Sequence, residues 1–141
     1  PDGLVSRSEM AVLMCRMAGE ESSLSASAFS DVADNHWAKE FIDSAVVKGW
    51  LLGYEDGTFR PDQKITRAEA MTIVNRVLER TPDKDHLLED MIEWPDNMNK
   101  DAWYYAAVQE ATNSHDYRRK PNGHEYWTAI KESPDWAALE R

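Results

Sequence analysis

Cysteine is nearly missing from this chain: Cys15 is the only one among 141 residues. No intrachain disulfide can therefore form. Because Cys15 lies in an apolar run, it is predicted to be a small buried side chain. Long apolar runs are missing too. None approaches the roughly 20 residues that a membrane-spanning helix needs, so no membrane insertion is expected.

Basic residues are scarce, with 16 Lys and Arg against 26 Asp and Glu and a net charge of −10. Nucleic acid is therefore not expected as a partner, because phosphate binding depends on Lys and Arg. An anionic membrane surface is disfavoured for the same reason. Any anionic ligand has to be held by a local group of positive charges against the field of the whole protein.

Patterns of metal ligands and catalytic residues are also missing from the sequence. The four histidines show no metal spacing and have no cysteine partner, so zinc is not expected; they are His36, His86, His115 and His124. Asp96, Asn97, Asn99 and Asp101 have the residue types of a calcium loop, but the segment lacks the glycine and the distal glutamate that such a loop needs. No nucleophile motif or phosphate-binding loop is present. We therefore expect no metal, no cofactor and no enzymatic activity.

A short sequence motif, called the repeated phrase below, occurs twice in the chain. Residues 6–9 read Ser-Arg-Ser-Glu and residues 66–69 read Thr-Arg-Ala-Glu, 60 positions apart. Each phrase follows a turn with Asp-Gly and opens an apolar helical run. Little of the chain has the pattern of a strand. The sequence predicts an all-α fold of tandem helix–loop–helix repeats with long turn-rich loops.

A second correspondence sets the boundaries of the copies, because the lead-in that ends at Trp37 returns in the segment that ends at Trp103. The first copy, residues 1–20, is truncated to its second half. The second copy, residues 29–80, is complete, and the third, residues 94–141, is degenerate. Residues 21–28 and 81–90 are predicted linkers. The sequence opens inside a turn without a methionine, so it is predicted to be part of a longer protein.

Each repeated phrase predicts a helix start. Ser6 with Glu9, and Thr66 with Glu69, fit the capping box, in which the hydroxyl accepts from the third helical amide and the glutamate reaches back to the cap. Both glutamates could instead contact sugar hydroxyls, but capping explains them fully.

Five blocks of the second copy together resemble an S-layer homology repeat: residues 29–32, 36–38, 53–54, 56–61 and 65–69. The resemblance is close over the second copy and good over the retained half of the first. It is partial over the third copy, which has no Thr-Arg-Ala-Glu phrase and departs from the pattern over residues 113–139.

This resemblance implies an extracellular anchor. Proteins with such repeats are held on a Gram-positive-type cell surface, within the S-layer, by binding a secondary cell wall polysaccharide that often carries pyruvate ketals. Three repeats pack as a pseudo-threefold bundle with ligand grooves between neighbours. The arginine of the repeated phrase contacts the acidic sugar, which assigns this role to Arg7 and Arg67.

The chemistry of such a contact suits arginine, because a guanidinium offers two parallel donors to a planar carboxylate. The amides of a helix N-terminus add positive potential. The alternative is that Arg7 and Arg67 are ordinary solvated residues of a first helical turn. Trp37 could stack on a sugar face or belong to the core. Tyr54 could turn its hydroxyl to a ligand, and Asp56 is either a ligand contact or a turn residue.

Two other functions remain open from sequence. A glycan-processing enzyme needs two carboxylates at a defined separation, but the cluster Glu89, Asp90 and Glu93 lies in a charge-rich linker. A self-assembly module is the second alternative, because the apolar face with Leu13 and Met17 lacks part of its packing partner. A homodimer or a domain swap would cover that face.

Overall fold

The computed structural model describes residues 4–19 and 29–139, and the predicted linker at 21–28 lies outside them. The chain divides into two compact units, residues 1–77 and 78–141. The first unit contains α1 (Arg7–Met17), α2 (Lys39–Val47) and α3 (Arg67–Val77). The second contains a short 3-10 helix (Lys84–His86), α4 (Tyr105–Thr112), β1 (His115–Arg119), β2 (Glu125–Ile130) and α5 (Trp136–Leu139). None of the helices described here is long and apolar enough to cross a membrane.

Both repeated phrases form a helix start. At α1, Ser6 Oγ accepts from the Glu9 amide at 3.2 Å and the Glu9 carboxylate accepts from the Ser6 amide at 2.7 Å. At α3, Thr66 Oγ1 accepts from the Glu69 amide at 3.2 Å and the Glu69 carboxylate accepts from the Thr66 amide at 2.7 Å. Each pair satisfies two amides that a helix end would otherwise leave without partners.

The core of the first unit forms where α1 packs against α2. Met14 and Cys15 of α1 and Ile42 of α2 are buried in one cluster, so Cys15 is the small buried side chain that the sequence predicts. Phe59, from the loop between α2 and α3, is fully buried in the same cluster. The loop therefore contributes a side chain to the core of the first unit.

Backbone pairing places the starts of α1 and α3 side by side. The amide of Ile65 donates to the carbonyl of Val5 at 3.0 Å, and the amide of Arg7 donates to the carbonyl of Gln63 at 2.9 Å. The amide of Ser8 donates to the carbonyl of Pro61 at 3.0 Å. The first amides of α1 are thus occupied by the chain that leads into α3.

The predicted all-α fold is wrong, because the second unit contains an antiparallel hairpin of β1 and β2. Its turn has Pro121 and Asn122 followed by Gly123 at a φ of 84°. The amide of Gly123 donates to the carbonyl of Lys120 at 2.9 Å, and the amide of Lys120 donates to the carbonyl of His124 at 2.8 Å. A proline, then asparagine, then a glycine with positive φ is the residue order that a type I turn with a bulge favours.

A buried ionic network holds the hairpin to α4. The Arg80 guanidinium lies 2.5 Å from Glu110 Oε1 and 2.7 Å from Glu125 Oε2, and the two carboxylate side chains are only 2% and 0% exposed. Trp127 Nε1 of β2 donates to Glu110 Oε2 at 2.9 Å. The His115 ring of β1 stacks on the Trp127 ring with centroids 4.0 Å apart. A two-stranded sheet is marginal by itself, so these contacts explain why the hairpin forms.

We expect Arg80→Met to destabilise the second unit by about 3–5 kcal/mol, because it leaves two buried carboxylates without their shared cation. The free energy of unfolding would be measured in urea by following amide resonances of β1 and β2, which report on this unit alone. The matched control is Arg118→Met, since Arg118 is exposed on β1. A loss as small as that of the control would contradict the structural role of the network.

We expect Gly53→Ala to destabilise the first unit by about 1–3 kcal/mol through overpacking. A Cβ at Gly53 would overlap Cε1 of Phe29, whose ring packs on Phe59 with centroids 5.4 Å apart. Thermal unfolding of the single and double variants measures the effect. With Phe29→Ala already present, Gly53→Ala should cost much less, and an equal cost in both backgrounds would exclude the clash.

Candidate ligand-binding site

Arg7 is inserted into the loop between α2 and α3. Its side chain leaves the first turn of α1, and the residue is only 7% exposed. Nε donates to the carbonyl of Phe59 at 2.8 Å and Nη2 donates to the carbonyl of Leu52 at 2.5 Å. The guanidinium carbon lies 4.9 Å from the ring centroid of Tyr54 and 4.6 Å from that of Phe59. Arg7 therefore joins the first repeated phrase to the loop of the second copy, and it is not a solvated surface residue.

Arg60 forms the other side of this cluster, and sequence reasoning missed it as a site residue. Its guanidinium carbon lies 3.8 Å from the ring centroid of Tyr54, and its side chain is exposed. The backbone of Arg60 has a φ of 58°, which is unusual for a residue with a side chain. Asp31 holds this conformation, because its carboxylate accepts from the amides of Phe59 at 2.8 Å and Arg60 at 2.7 Å.

Two of the groups predicted from sequence lie beside these arginines. Tyr54 is half-buried, and its hydroxyl accepts from the side-chain amide of Gln63 at 3.0 Å. Asp56 accepts from Thr58 Oγ1 at 2.6 Å and from its amide at 3.0 Å, and forms an ion pair with Arg60 at 3.0 Å. The hydrogen bonds from Thr58, together with that from Arg60, lower the pKa of Asp56 to about 2. Asp56 thus shapes the turn and orients Arg60 over Tyr54.

Two of the five N–H donors of the Arg7 guanidinium are used within the protein. Nε and Nη2 are taken by the two carbonyls, whereas no residue of the described part accepts a hydrogen bond from Nη1. A ligand carboxylate could therefore meet Arg7 through Nη1. Burial is the largest influence on the pKa of Arg7 and lowers it, and the cation of Arg60 acts in the same direction.

Trp37 lines a different cleft, of about 540 Å³, on the surface of α1. The residue is 63% exposed, so it is not part of the core. Leu13 and Val12 form the apolar floor, and Glu9 and Arg16 add one charge of each sign. Leu13 and Met17 are both about half exposed.

Arg67 occupies the position in α3 that Arg7 occupies in α1, but its environment differs. Its side chain is exposed, whereas that of Arg7 is buried. The two arginines of the repeated phrase are therefore not equivalent, although the sequence assigns them the same role.

A second cluster, in the other unit, has the residue types of a metal site. Ligand atoms of Glu110, His115 and Glu125 lie within 4.8 Å of one another. The Arg80 guanidinium already contacts both carboxylates, so a cation there would have to displace a charge that neutralises them. Burial by itself raises the pKa of Glu110, but hydrogen bonds from His115 and Trp127 with the charge of Arg80 bring it below its usual value. The cluster is organised as an ionic network.

Residues 28–71 match the family model of the S-layer homology domain. The chain therefore contains an S-layer homology domain, and the resemblance seen in the second copy is confirmed. The match lies on the unit that carries Tyr54, Asp56 and Arg60. The boundaries predicted for the three copies stay predictions.

Named relatives are proteins of the cell surface. The chain is 39% identical over 92 residues to the cellulosome-anchoring protein of Acetivibrio thermocellus, which covers 65% of this chain and 20% of that protein. It is 47% identical over 77 residues to cell surface glycoprotein 1 of the same organism, with 52% of this chain and 3% of that protein covered. It is 50% identical over 56 residues to the outer membrane protein SlpA of Deinococcus radiodurans, with 40% and 5% covered.

These names support a place at the cell surface, and none of the three describes an enzyme. The chain spans a fifth or less of the length of each relative. The expected Gram-positive type of surface is not established, because one relative is by name an outer membrane protein. The expected homodimer finds no support in these comparisons.

The pKa of Glu110 predicts acid sensitivity of the second unit. A carboxyl whose folded-state pKa is lowered contributes stability above its unfolded pKa of about 4.3, and this contribution is lost as the pH falls through the folded-state pKa. We expect the free energy of unfolding to fall below about pH 4.3 and Glu110→Gln to weaken that dependence. Asp83, whose pKa is lowered to about 2 chiefly by a hydrogen bond from Lys120, leaves a residual slope.

The measurement is urea unfolding of β1 and β2 amides between neutral and acid pH, in the original chain and in Glu110→Gln. Glu132→Gln is the control, since Glu132 is exposed. Equal slopes for Glu110→Gln and the original chain would show that Glu110 does not carry the effect.

Proposed function

We propose that this chain anchors a surface protein non-covalently to a bacterial cell wall by binding an acidic wall polysaccharide, with a ketal-linked pyruvate as the recognised group. The observation that carries the proposal is the pair of guanidinium groups, Arg7 and Arg60, on the ring of Tyr54. Arg60 and Tyr54 lie in the S-layer homology domain, Arg7 contacts it from α1, and the named relatives include an anchoring protein.

Electrostatics favour this place for an anionic group. The protein carries a net charge of −10, so an acidic polymer is repelled by most of its surface and has to be held by local cations. Arg60 is exposed and already oriented by Asp56. Arg7 adds a second positive charge in a partly desolvated position, where hydrogen bonds to charged groups are stronger than those between neutral ones.

The remaining predicted residues would contact other parts of the polymer. Trp37 offers an exposed ring that lines a cleft of about 540 Å³, and a sugar face could stack on that ring. Arg67 provides an exposed cation at the first turn of α3, where the helix N-terminus adds positive potential. Ser6, Glu9, Thr66 and Glu69 act in this proposal as caps that position the two arginines.

The test is co-sedimentation with purified sacculi from a bacterium that displays an S-layer. Three preparations are compared: intact sacculi, sacculi stripped of their secondary polymer by acid, and sacculi from a mutant that adds no pyruvate ketals. We expect binding to the intact preparation alone. Arg60→Asn should weaken it about tenfold or more, as expected for losing a hydrogen bond to a charged group. Asparagine is chosen because it tolerates positive φ.

Controls separate binding from folding. Arg118→Gln removes an exposed arginine of the second unit and should bind as the original chain does. Arg67→Gln should weaken binding, whereas Arg7→Lys keeps the charge and should weaken binding with the α1 amide spectrum preserved. Binding that survives acid stripping would point to peptidoglycan, and failure to bind intact sacculi would overturn the anchoring role.

A further inference from the structure

The hairpin turn contains the one asparagine of the sequence that is followed by a glycine. Asparagine occurs six times, at positions 35, 75, 97, 99, 113 and 122, and only Asn122 precedes a glycine, Gly123. A glycine at the next position matters because it has no Cβ, so its backbone nitrogen can approach the asparagine side chain without a steric penalty. Both residues are exposed, so water reaches the peptide bond that joins them.

A hydrogen bond folds the Asn122 side chain back along the turn. Its Oδ1 accepts from the amide of His124 at 3.1 Å, which is the local bond that asparagine favours in turns. The ring closed by this bond contains both Cγ of Asn122 and the nitrogen of Gly123, so these two atoms are held near each other. The His124 amide also points at the oxygen on which negative charge develops when a nucleophile attacks Cγ, as the donors of an oxyanion hole do.

Asn99 provides an internal comparison, because its side chain makes the same bond. Its Oδ1 accepts from the amide of Asp101 at 3.0 Å, and the residue is also exposed. Lys100 follows Asn99, however, and its Cβ hinders the approach of its nitrogen to the asparagine side chain. Asn99 and Asn122 are therefore a matched pair that differs in the residue that follows.

We infer that Asn122 is a site of spontaneous deamidation through a cyclic imide. A base in the solvent takes the proton of the Gly123 nitrogen, and this nitrogen attacks Cγ of Asn122. The new C–N bond closes the ring, while Nδ2 takes up a proton and leaves as ammonia. Water then opens the ring at the side-chain carbonyl, which gives aspartate, or at the backbone carbonyl, which gives isoaspartate. The net reaction consumes one water, releases one ammonia, and needs neither an oxidant nor a reductant.

The hairpin slows this reaction while it is closed. The amide of Gly123 donates to the carbonyl of Lys120 at 2.9 Å, and the nitrogen has to give up this bond before it can attack. A hydrogen bond of this kind has a modest net contribution to stability. We therefore expect Asn122 to react about two- to tenfold more slowly in the folded chain than in a short peptide of the same sequence.

The products weaken the turn in which the reaction starts. The imide nitrogen carries no hydrogen, so the bond to Lys120 is lost in the intermediate. Isoaspartate adds one carbon to the main chain, and the length of a hairpin loop fixes the register of its strands. Glu125, whose carboxylate pairs with Arg80, is the first residue of β2 after this turn. We therefore expect the chain with isoaspartate to unfold at a lower temperature than the original chain.

The experiment incubates the original chain for several weeks in neutral and in mildly alkaline buffer and follows its tryptic peptides by mass spectrometry. Asn122 falls in the peptide 120–131, because trypsin does not cut before Pro121, and Asn99 falls in the peptide 85–100. The mass gain of an amide that becomes an acid should appear at Asn122 at least about fivefold faster than at Asn99. The rate should rise with pH, because the attacking nitrogen must first lose its proton. Two products, aspartate and isoaspartate, should separate by chromatography.

Two variants complete the test, whose covalent readout does not depend on the proposed function. Asn122→Ser should leave the peptide 120–131 unchanged in mass. Arg80→Met, which loosens the hairpin, should bring the rate at Asn122 towards that of a synthetic peptide of residues 118–126. The inference is overturned if Asn122 reacts no faster than Asn99, if its rate does not depend on pH, or if aspartate forms without isoaspartate, since direct hydrolysis would then bypass the imide.

Discussion

The insertion of Arg7 into the loop between α2 and α3 is the contact on which the first unit depends. That loop closes its own tip with bonds between Tyr54 and Thr58 and between Gly57 and Tyr54, but its flanks need donors from elsewhere. Arg7 supplies them at Leu52 and Phe59. One side chain thus seats a buried aromatic residue of the core and brings a positive charge to the tyrosine ring, so stability and the proposed binding chemistry share the same residue.

The second unit also depends on an arginine that joins two elements, but its contacts are ion pairs. Its hairpin is too small to be stable alone, and Arg80 ties it to α4 through two buried carboxylates. In both units an arginine from one element satisfies acceptors of another. The difference lies in the acceptors: Arg7 donates to backbone carbonyls and feels Glu69 and Asp31 only through space, whereas two carboxylates contact Arg80 directly. That difference is the reason we propose the Arg7 cluster, and not Arg80, for an anionic ligand.

Sequence reasoning reached the local features and missed those that depend on distant partners. The capping phrases, the apolar faces and the buried Cys15 follow from residue types at short spacing. Arg60 was missed because its role depends on Asp31, 29 positions away, which holds its unusual backbone. The hairpin was missed although residues 121–123 carry a turn signal, because the repeat pattern made a helical reading of this segment more persuasive than its own residues did.

The sequence by itself determined where helices begin, which domain family residues 28–71 belong to, and that any acidic ligand must be held against a net negative charge. The helix starts and the family match depend on residues that are close together along the chain, and the net charge is a sum over all of its residues. The tertiary structure alone decided that Arg7 is buried while Arg67 is exposed, and that Glu110 and Glu125 share the Arg80 guanidinium. The two similar phrases differ in this way because burial depends on what packs against a residue from elsewhere in the chain, which local spacing does not determine.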